Sequence, residues 1–542
     1  MVITIKFLYM KKIITTLLFF SLSGAYAQNQ QTVELIKDIN PGSEGAGIMQ
    51  PVEFNGKLYF PADDGEHGRE LWVSDGTEEG THLVKDISAA GESSITFLTE
   101  VNNKLVFSAN GTSGDIELYV TDGTEEGTVL LKNINPTSSS VPSDFTKLED
   151  KVIFVANDGT TGNELWVTDG TADGTVLLKD INPNGDSYPY GFIEYNGKLY
   201  FQADNGTNGS ELWSTDGTTA GTTMVKDVFV GGDSYPRSFG ILNDLLLFRA
   251  DDAEHGDELW VTDGTEAGTT FLIDINTAEG EGSSINEFTL VNGKLYFRAR
   301  TADNGMELWS TDGTAAGTAL VKDIFPGVED SFPGALTEYD GKVYFQATDG
   351  VHNTELWVSD GTDAGTYMLK DIHPTNYSAP NEFIVFNNLL YFVADDSTNG
   401  SELWVTDGTE EGTYKPIAGQ DEAVSPLYFI PFSTIYNDEL YFKAEYGTTG
   451  AELWKLGEQV AGLDEAGFSK NVTVYPNPAS DKLTIALANG TVQNVTVFSV
   501  TGKKVLESAT ESVDVSGLSA GLYIVKVQDD NNRVLFNKIV KQ

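Results

Sequence analysis

The sequence predicts an all-β protein: a β-propeller of about nine four-stranded blades closed by its N-terminal strand, followed by a C-terminal Ig-like β-sandwich. Three observations predict it. First, Glu-Leu-Trp recurs at Glu70, Glu164, Glu211, Glu258, Glu307, Glu355, Glu402 and Glu452, with Glu117-Leu118-Tyr119 as a further copy, at intervals of 47 to 50 residues. Self-similarity at that period marks an array of one repeated supersecondary unit. Second, 56 glycines punctuate short alternating apolar runs, the pattern of strands joined by tight turns. Third, a strand-like segment precedes the first repeat and the last repeat lacks one, so the two ends complement each other.

In chain order, Lys11 and Lys12 precede an apolar run over 13–22 and then Ala25-Tyr26-Ala27. A basic stretch, a short apolar stretch and a small-x-small site read as a secretory signal peptide over 1–27. Met10 is the better start for such a signal than Met1. No other segment is long and apolar enough to span a bilayer. Residues 28–456 form the repeat region, and 33–39 resemble the last strand of a repeat.

The fourth repeat shows the unit. A strand over 192–195 runs into Asn196-Gly197, a pair that takes positive φ at both positions of a two-residue hairpin. A second strand spans 198–203, a loop spans 204–210 and a third strand spans 211–215. A Gly-rich reversal over 216–222 precedes a fourth strand over 223–228. Asp-Gly-Thr opens that reversal in eight repeats, at Asp75, Asp122, Asp169, Asp216, Asp263, Asp312, Asp360 and Asp407. We call the four strands a, b, c and d. The ninth repeat stops after strand c, and the N-terminal strand supplies its strand d, leaving no free sheet edge. The unit NGKLYFxA…ELWxTDGTxxGTxLVKDI resembles the ELWxxDGT repeat proteins of Bacteroidetes over residues 33–455, and more distantly TolB-like and Kelch-like blades.

Residues 457–469 read as a linker and 470–542 as a separate β domain. YPNPASDKL, VFSVTGKKV, LSAGLYIVKV and the final KIVKQ resemble, in order and spacing, the type A C-terminal sorting domain of type IX (Por) secretion. The resemblance implies export across the outer membrane, with the secretion machinery as a partner of this domain and an extracellular or outer-membrane-surface location.

Composition narrows the chemistry. The net charge is −48, while residues 470–542 hold eight Lys/Arg and six Asp/Glu, so the repeats carry the deficit. Such a chain repels nucleic acid and anionic lipid. With no cysteine, disulfides and thiolate sites are excluded. All eight Trp lie in the repeat motif, where an aromatic shared by every unit serves the packing every unit shares. The motif Glu is expected to accept hydrogen bonds from backbone N–H groups or the Asp-Gly-Thr threonine, and the motif Asp to brace its own turn.

Two candidate sites remain, both in connections expected at one end of the blades. The b–c loops carry Asp63, Asp64, Asp204, Asp251, Asp252, Asp395 and Asp396, oxygen ligands on curved loops that suit Ca²⁺, the one candidate cofactor; none has the full EF-hand pattern, and the same Asp, Asn and Gly residues are also plain turn chemistry. The variable d–a connections carry Tyr188, Tyr190, Tyr235 and Phe332 as candidate partner-binding residues. His67, His255 and His352 fall at matching positions of different repeats, so they do not form one zinc site. No HExxH, G-x-S-x-G or phosphate-loop motif is present, while paired carboxylates are too abundant to be informative. The functional expectation is a surface binding scaffold for an extracellular protein or glycan; the alternative is a secreted glycan- or peptide-degrading enzyme.

Overall fold

In every repeat the apolar runs form an antiparallel sheet because the turn chemistry between them agrees with the alternation. The computed structural model describes residues 31–459 apart from 90, 279, 399, 418–432 and 446–448, and residues 472–542 apart from 488–490, 500–503, 520 and 530–533. The expected signal peptide and residues 460–469 of the expected linker lie outside the described residues. The chain divides into two units, with Gln31–Gln459 in one and Val460–Gln542 in the other.

In the fourth sheet the strands are Tyr190–Tyr195, Lys198–Asp204, Ser210–Thr215 and Thr223–Lys226, hydrogen-bonded in that order. Asn196 and Gly197 take φ of 52° and 72°, as a type I′ hairpin requires. The c–d reversal is held by its own side chains. Asp216 Oδ1 accepts from the Thr218 N–H at 2.9 Å and the Thr218 hydroxyl at 2.6 Å. Thr218 Oγ1 accepts from the Gly221 N–H at 3.0 Å, and the Thr222 hydroxyl donates to the Thr218 carbonyl at 2.7 Å. A Cβ on Gly221 would collide with the Asp216 carboxylate, so DGTxxGT needs its second glycine for close approach.

Among the described residues, unit 31–459 contains nine such sheets. The eighth has three strands, with a bridge from Val405 to Tyr414. Leu and Trp of strand c face opposite sides, as strand alternation demands. Trp166 packs with Phe154 and Val106 between the second and third sheets, while Leu165 packs with Phe201 between the third and fourth. Nine apolar clusters repeat this arrangement. The last two put Trp454 and Phe442 against Leu403 of the eighth sheet, and Leu453 against Leu58 and Phe60 of the first. The series of cores therefore returns to its start.

The N-terminal strand Gln31–Lys37 pairs antiparallel with Ala451–Gln459, matching Val33 to Leu456, Glu34 to Lys455 and Leu35 to Trp454. The expected pairing of the two ends of the repeat region is thus present. First strands of successive sheets lie beside one another, which places strand a innermost.

The other unit holds two sheets. One is Val472–Tyr475, Lys482–Leu487 and Ser512–Asp514; the other is Lys504–Ser508, Val492–Ser499, Gly521–Asp529 and Val534–Lys541. Val474, Leu483, Ile485, Val495, Val497, Val525 and Ile539 form one buried core between them.

Candidate functional site

The two ends of the sheets differ in what holds them. At one end the a–b hairpins meet the Asp-Gly-Thr turns: the Asn102 amide donates to the Asp150 and Asp169 carbonyls, each at 3.0 Å, and Lys104 Nζ to the Gly170 carbonyl at 2.9 Å. A hollow of about 400 Å³ at this end is lined by Lys151, Asp169, Gly217 and Thr218. At the other end the b–c loops meet the d–a connections, as in the Asp204 N–H donating to the Ser187 carbonyl at 2.9 Å.

The motif glutamate anchors that second end. Glu211 Oε2 accepts from the Val228 N–H at 2.6 Å and the Ser234 hydroxyl at 2.8 Å; Oε1 accepts from the N–H groups of Phe229 and Ser234 at 3.4 and 3.3 Å. Ser140, Ser187, Ser283, Ser331 and Ser378 meet Glu117, Glu164, Glu258, Glu307 and Glu355 in the same way. The backbone partners are as expected, but the hydroxyl comes from the d–a connection. The Asp-Gly-Thr threonine sits at the far end of strand c. Burial pushes Glu164, Glu211, Glu258, Glu307 and Glu452 up to about 7, against the opposing pull of these hydrogen bonds.

The residue after each anchoring serine is left-handed: Val141, Tyr188, Tyr235, Ser284, Phe332 and Ala379 have φ between 44° and 53°. For a β-branched or aromatic residue this is strained backbone. It turns the large side chains outward, leaving Tyr188 62%, Tyr235 45% and Phe332 53% exposed. Tyr190, 60% exposed, opens strand a of the fourth sheet. The four aromatic residues singled out in the sequence thus share one end, with Tyr188, Tyr235 and Phe332 at one register. The Tyr188 hydroxyl donates to Asp186 Oδ2 at 2.9 Å and that of Tyr235 to Asp233 Oδ2 at 3.1 Å, which raises both phenol pKa values.

The acidic loops are not gathered into a cage. Asp63, Asp204, Asp251 and Asp395 each accept, through Oδ1, the N–H two residues on. Asp64 and Asp252 each accept two loop N–H groups and pair through Oδ2 with His67 and His255, at 2.8 and 2.9 Å. Asp396 holds Thr398 and, at 2.8 Å, Lys415. The seven lie on four different sheets, and no group of three or more ligating side chains forms among the described residues. These contacts are those of braced turns. His352 pairs with Asp349 in the same manner, so the three histidines stand apart.

One cluster was missed in the sequence. Only six arginines occur in 542 residues, and Arg237, Arg249, Arg298 and Arg300 fall in the fifth and sixth sheets. Arg237 Nη2 and Arg249 Nη2 converge on Asp257 Oδ2 at 3.2 and 3.0 Å. Arg249 Nη1 also donates to the Ile285 carbonyl at 2.9 Å. Arg298 Nη1 pairs with Glu287 at 3.1 Å and reaches the Pro333 carbonyl at 3.4 Å, while Arg300 pairs with Asp330. Burial lowers the Arg249 pKa; Asp257 opposes this, and the nearby Arg237 and Arg298 charges lower it further. The uneven distribution of arginine was the signal.

Comparison with known proteins bears on the tail most directly. Residues 473–542 match the secretion system C-terminal sorting domain. The protein is therefore secreted or held at the cell surface, and this domain engages the secretion machinery. Among the described residues, no helix is long and apolar enough to cross a membrane. The chain is 32% identical over 75 residues to ulvan lyase NLR42 of Nonlabens ulvanivorans, 13% of this chain and only 14% of that protein's length. Among solved structures it is similar to PorZ, a surface component of the type-IX secretion system of Porphyromonas gingivalis, at 14% identity and TM-score 0.27, covering 92% of this chain and 82% of that one. It is also similar to the β-propeller domain of the Trilobed protease from Pyrococcus furiosus, at 13% identity and TM-score 0.32, covering 70% and 100%. At these scores the superpositions set nothing, and the strand pairing itself carries the description of the fold.

Proposed function

We propose that this is a secreted binding scaffold: an ELWxxDGT-repeat β-propeller of nine blades whose loop-bearing end holds an extracellular protein or glycan. In this reading residues 1–27 are a cleaved signal peptide and 470–542 an Ig-like, type A sorting domain beyond a linker at 457–469. The observation that carries it is the register of Tyr188, Tyr235 and Phe332, three large exposed side chains on left-handed backbone at one end of the sheets. Such backbone costs about 1–3 kcal/mol per residue and is held by the surrounding connection. The backbone conformation does not require large rings, because the neighbouring connections hold Ser284 and Ala379 in it as well.

The test is binding of the purified repeat-bearing protein to panels of extracellular glycans and surface proteins. Tyr188→Ala and Tyr235→Ala are expected to weaken capture about tenfold or more, as loss of a central aromatic does, with the melting temperature unchanged. Lys151→Ala, at the opposite end, is expected to bind as wild type. Polysaccharide turnover abolished by a single carboxylate substitution would replace this reading with an enzymatic one.

A further inference from the structure

We propose that Arg237, Arg249 and Arg298, flanked by Tyr235 and Phe332, form a binding site for one carboxylate-bearing sugar residue of an otherwise neutral glycan. The inference rests on the loop-bearing end being the binding surface and names the chemistry of its ligand.

The repeat itself does not require these arginines. Arg249 and Arg298 pair across to the Leu of the Glu-Leu-Trp motif, as Pro61, Ser108, Val155, Gln202, Gln346, Val393 and Lys443 do in the other sheets. Side chains as different as Pro and Val fill the same position, so the fold accepts almost anything there. Arginine appears only where two adjacent sheets bring three guanidinium groups together.

Within that trio, three positive charges share two carboxylates, Asp257 and Glu287. Arg237 is the outermost of the three, and the structure engages it only through Nη2. Its remaining donors form the planar fork that binds a carboxylate through two parallel hydrogen bonds.

The surroundings favour a sugar. Tyr235 lies two residues before Arg237, and Phe332 adjoins the Pro333 carbonyl that Arg298 reaches. Two exposed aromatic side chains therefore lie on the connections next to the cationic group, and such rings suit the apolar faces of pyranose rings. Asp233, with Ser238 bonded to Asn286 at 3.2 Å, supplies polar groups for hydroxyls. The overall charge limits the ligand. A polyanion would meet repulsion from the remaining repeats, whereas a single carboxylate on a neutral chain needs only the exposed Arg237 guanidinium as its partner.

Calorimetric titration of the full mature protein tests this with three probes: a glucuronic-acid-capped xylotriose, neutral xylotetraose, and an acetylated tripeptide with a free C-terminal carboxylate. The capped sugar is expected to bind at least about tenfold tighter than xylotetraose, the worth of one charge-assisted pair. Arg237→Gln, at an exposed position, is expected to remove that difference without changing the melting temperature. Tyr235→Ala is expected to weaken both sugars. Equal binding of the two sugars, preference for the peptide, or wild-type affinity in Arg237→Gln overturns the acidic-sugar site. If the neutral sugar or the peptide binds and Tyr188→Ala weakens it, the loop-bearing end stands as a surface while this assignment falls. Absence of binding by all three probes also overturns the assignment, and the panel assay with Tyr188→Ala then decides separately on the surface.

Discussion

At the scale of the residue, the motif glutamate decides how the loop-bearing end is held. In Glu211→Ala the N–H of Val228 and the hydroxyl of Ser234 lose a buried acceptor. Each unsatisfied group costs about 1–3 kcal/mol, so urea unfolding is expected to register a loss of ~3 kcal/mol or more. Asp263→Ala, in an exposed turn, removes an acceptor shared by the Thr265 N–H and hydroxyl. Its expected cost is much smaller than that of Glu211→Ala, because water replaces the lost partner. Both roles were legible in the residues, since a polar group repeated in every unit serves what every unit shares. The serine partner was not legible: it lies 23 to 25 residues after its glutamate, across a connection of variable length. Nor was the arginine trio, because Arg237, Arg249 and Arg298 come together only through the pairing of strands a and b and the packing of two sheets.

At the scale of the element, the acidic loops illustrate what composition conceals. Asp63-Asp64 and Asp251-Asp252 have the residue types of a cation loop, yet their oxygens are taken up by N–H groups and histidines of the same loops. Sequence alone does not distinguish an aspartate that braces a turn from one that waits for a metal. Scanning calorimetry with calcium and then with EDTA is expected to give the same transition; a rise with calcium would restore the cation reading. The turns between strands were legible to the residue, because Asn196-Gly197 and DGTxxGT carry their backbone demands in their side chains.

At the scale of the whole molecule, the buried glutamates set a pH dependence. Five have folded-state pKa values near 7, against 4.5 for the free group. Between those values the folded protein binds more protons than the unfolded chain, so stability falls as pH rises through that window. Asp75, Asp122, Asp169, Asp216, Asp263, Asp312 and Asp360 are held below 3.8 by their threonine hydrogen bonds. Their contribution is present above 3.8 and is lost as pH falls below it. The melting temperature is therefore expected to be higher at pH 5 than at pH 7.5 and to drop again in stronger acid. A steady rise from pH 5 to 7.5 would contradict the burial of these carboxylates.

The closed series of sheets exists only if the two ends of the repeat region join, and the absence of cysteine makes that junction directly measurable. Glu34 and Lys455 are register partners in the antiparallel pair of Gln31–Lys37 with Ala451–Gln459. Directly opposed residues of such a pair lie within the Cα separation a disulfide spans. The measurement is the yield of intramolecular disulfide in the double variant Glu34→Cys, Lys455→Cys under mild oxidation. Closure predicts near-complete formation in the folded monomer, a raised melting temperature, and loss of the bond's effect on reduction. Free thiols in a folded monomer would contradict closure, and with it the single surface assigned to Tyr188, Tyr235 and Phe332.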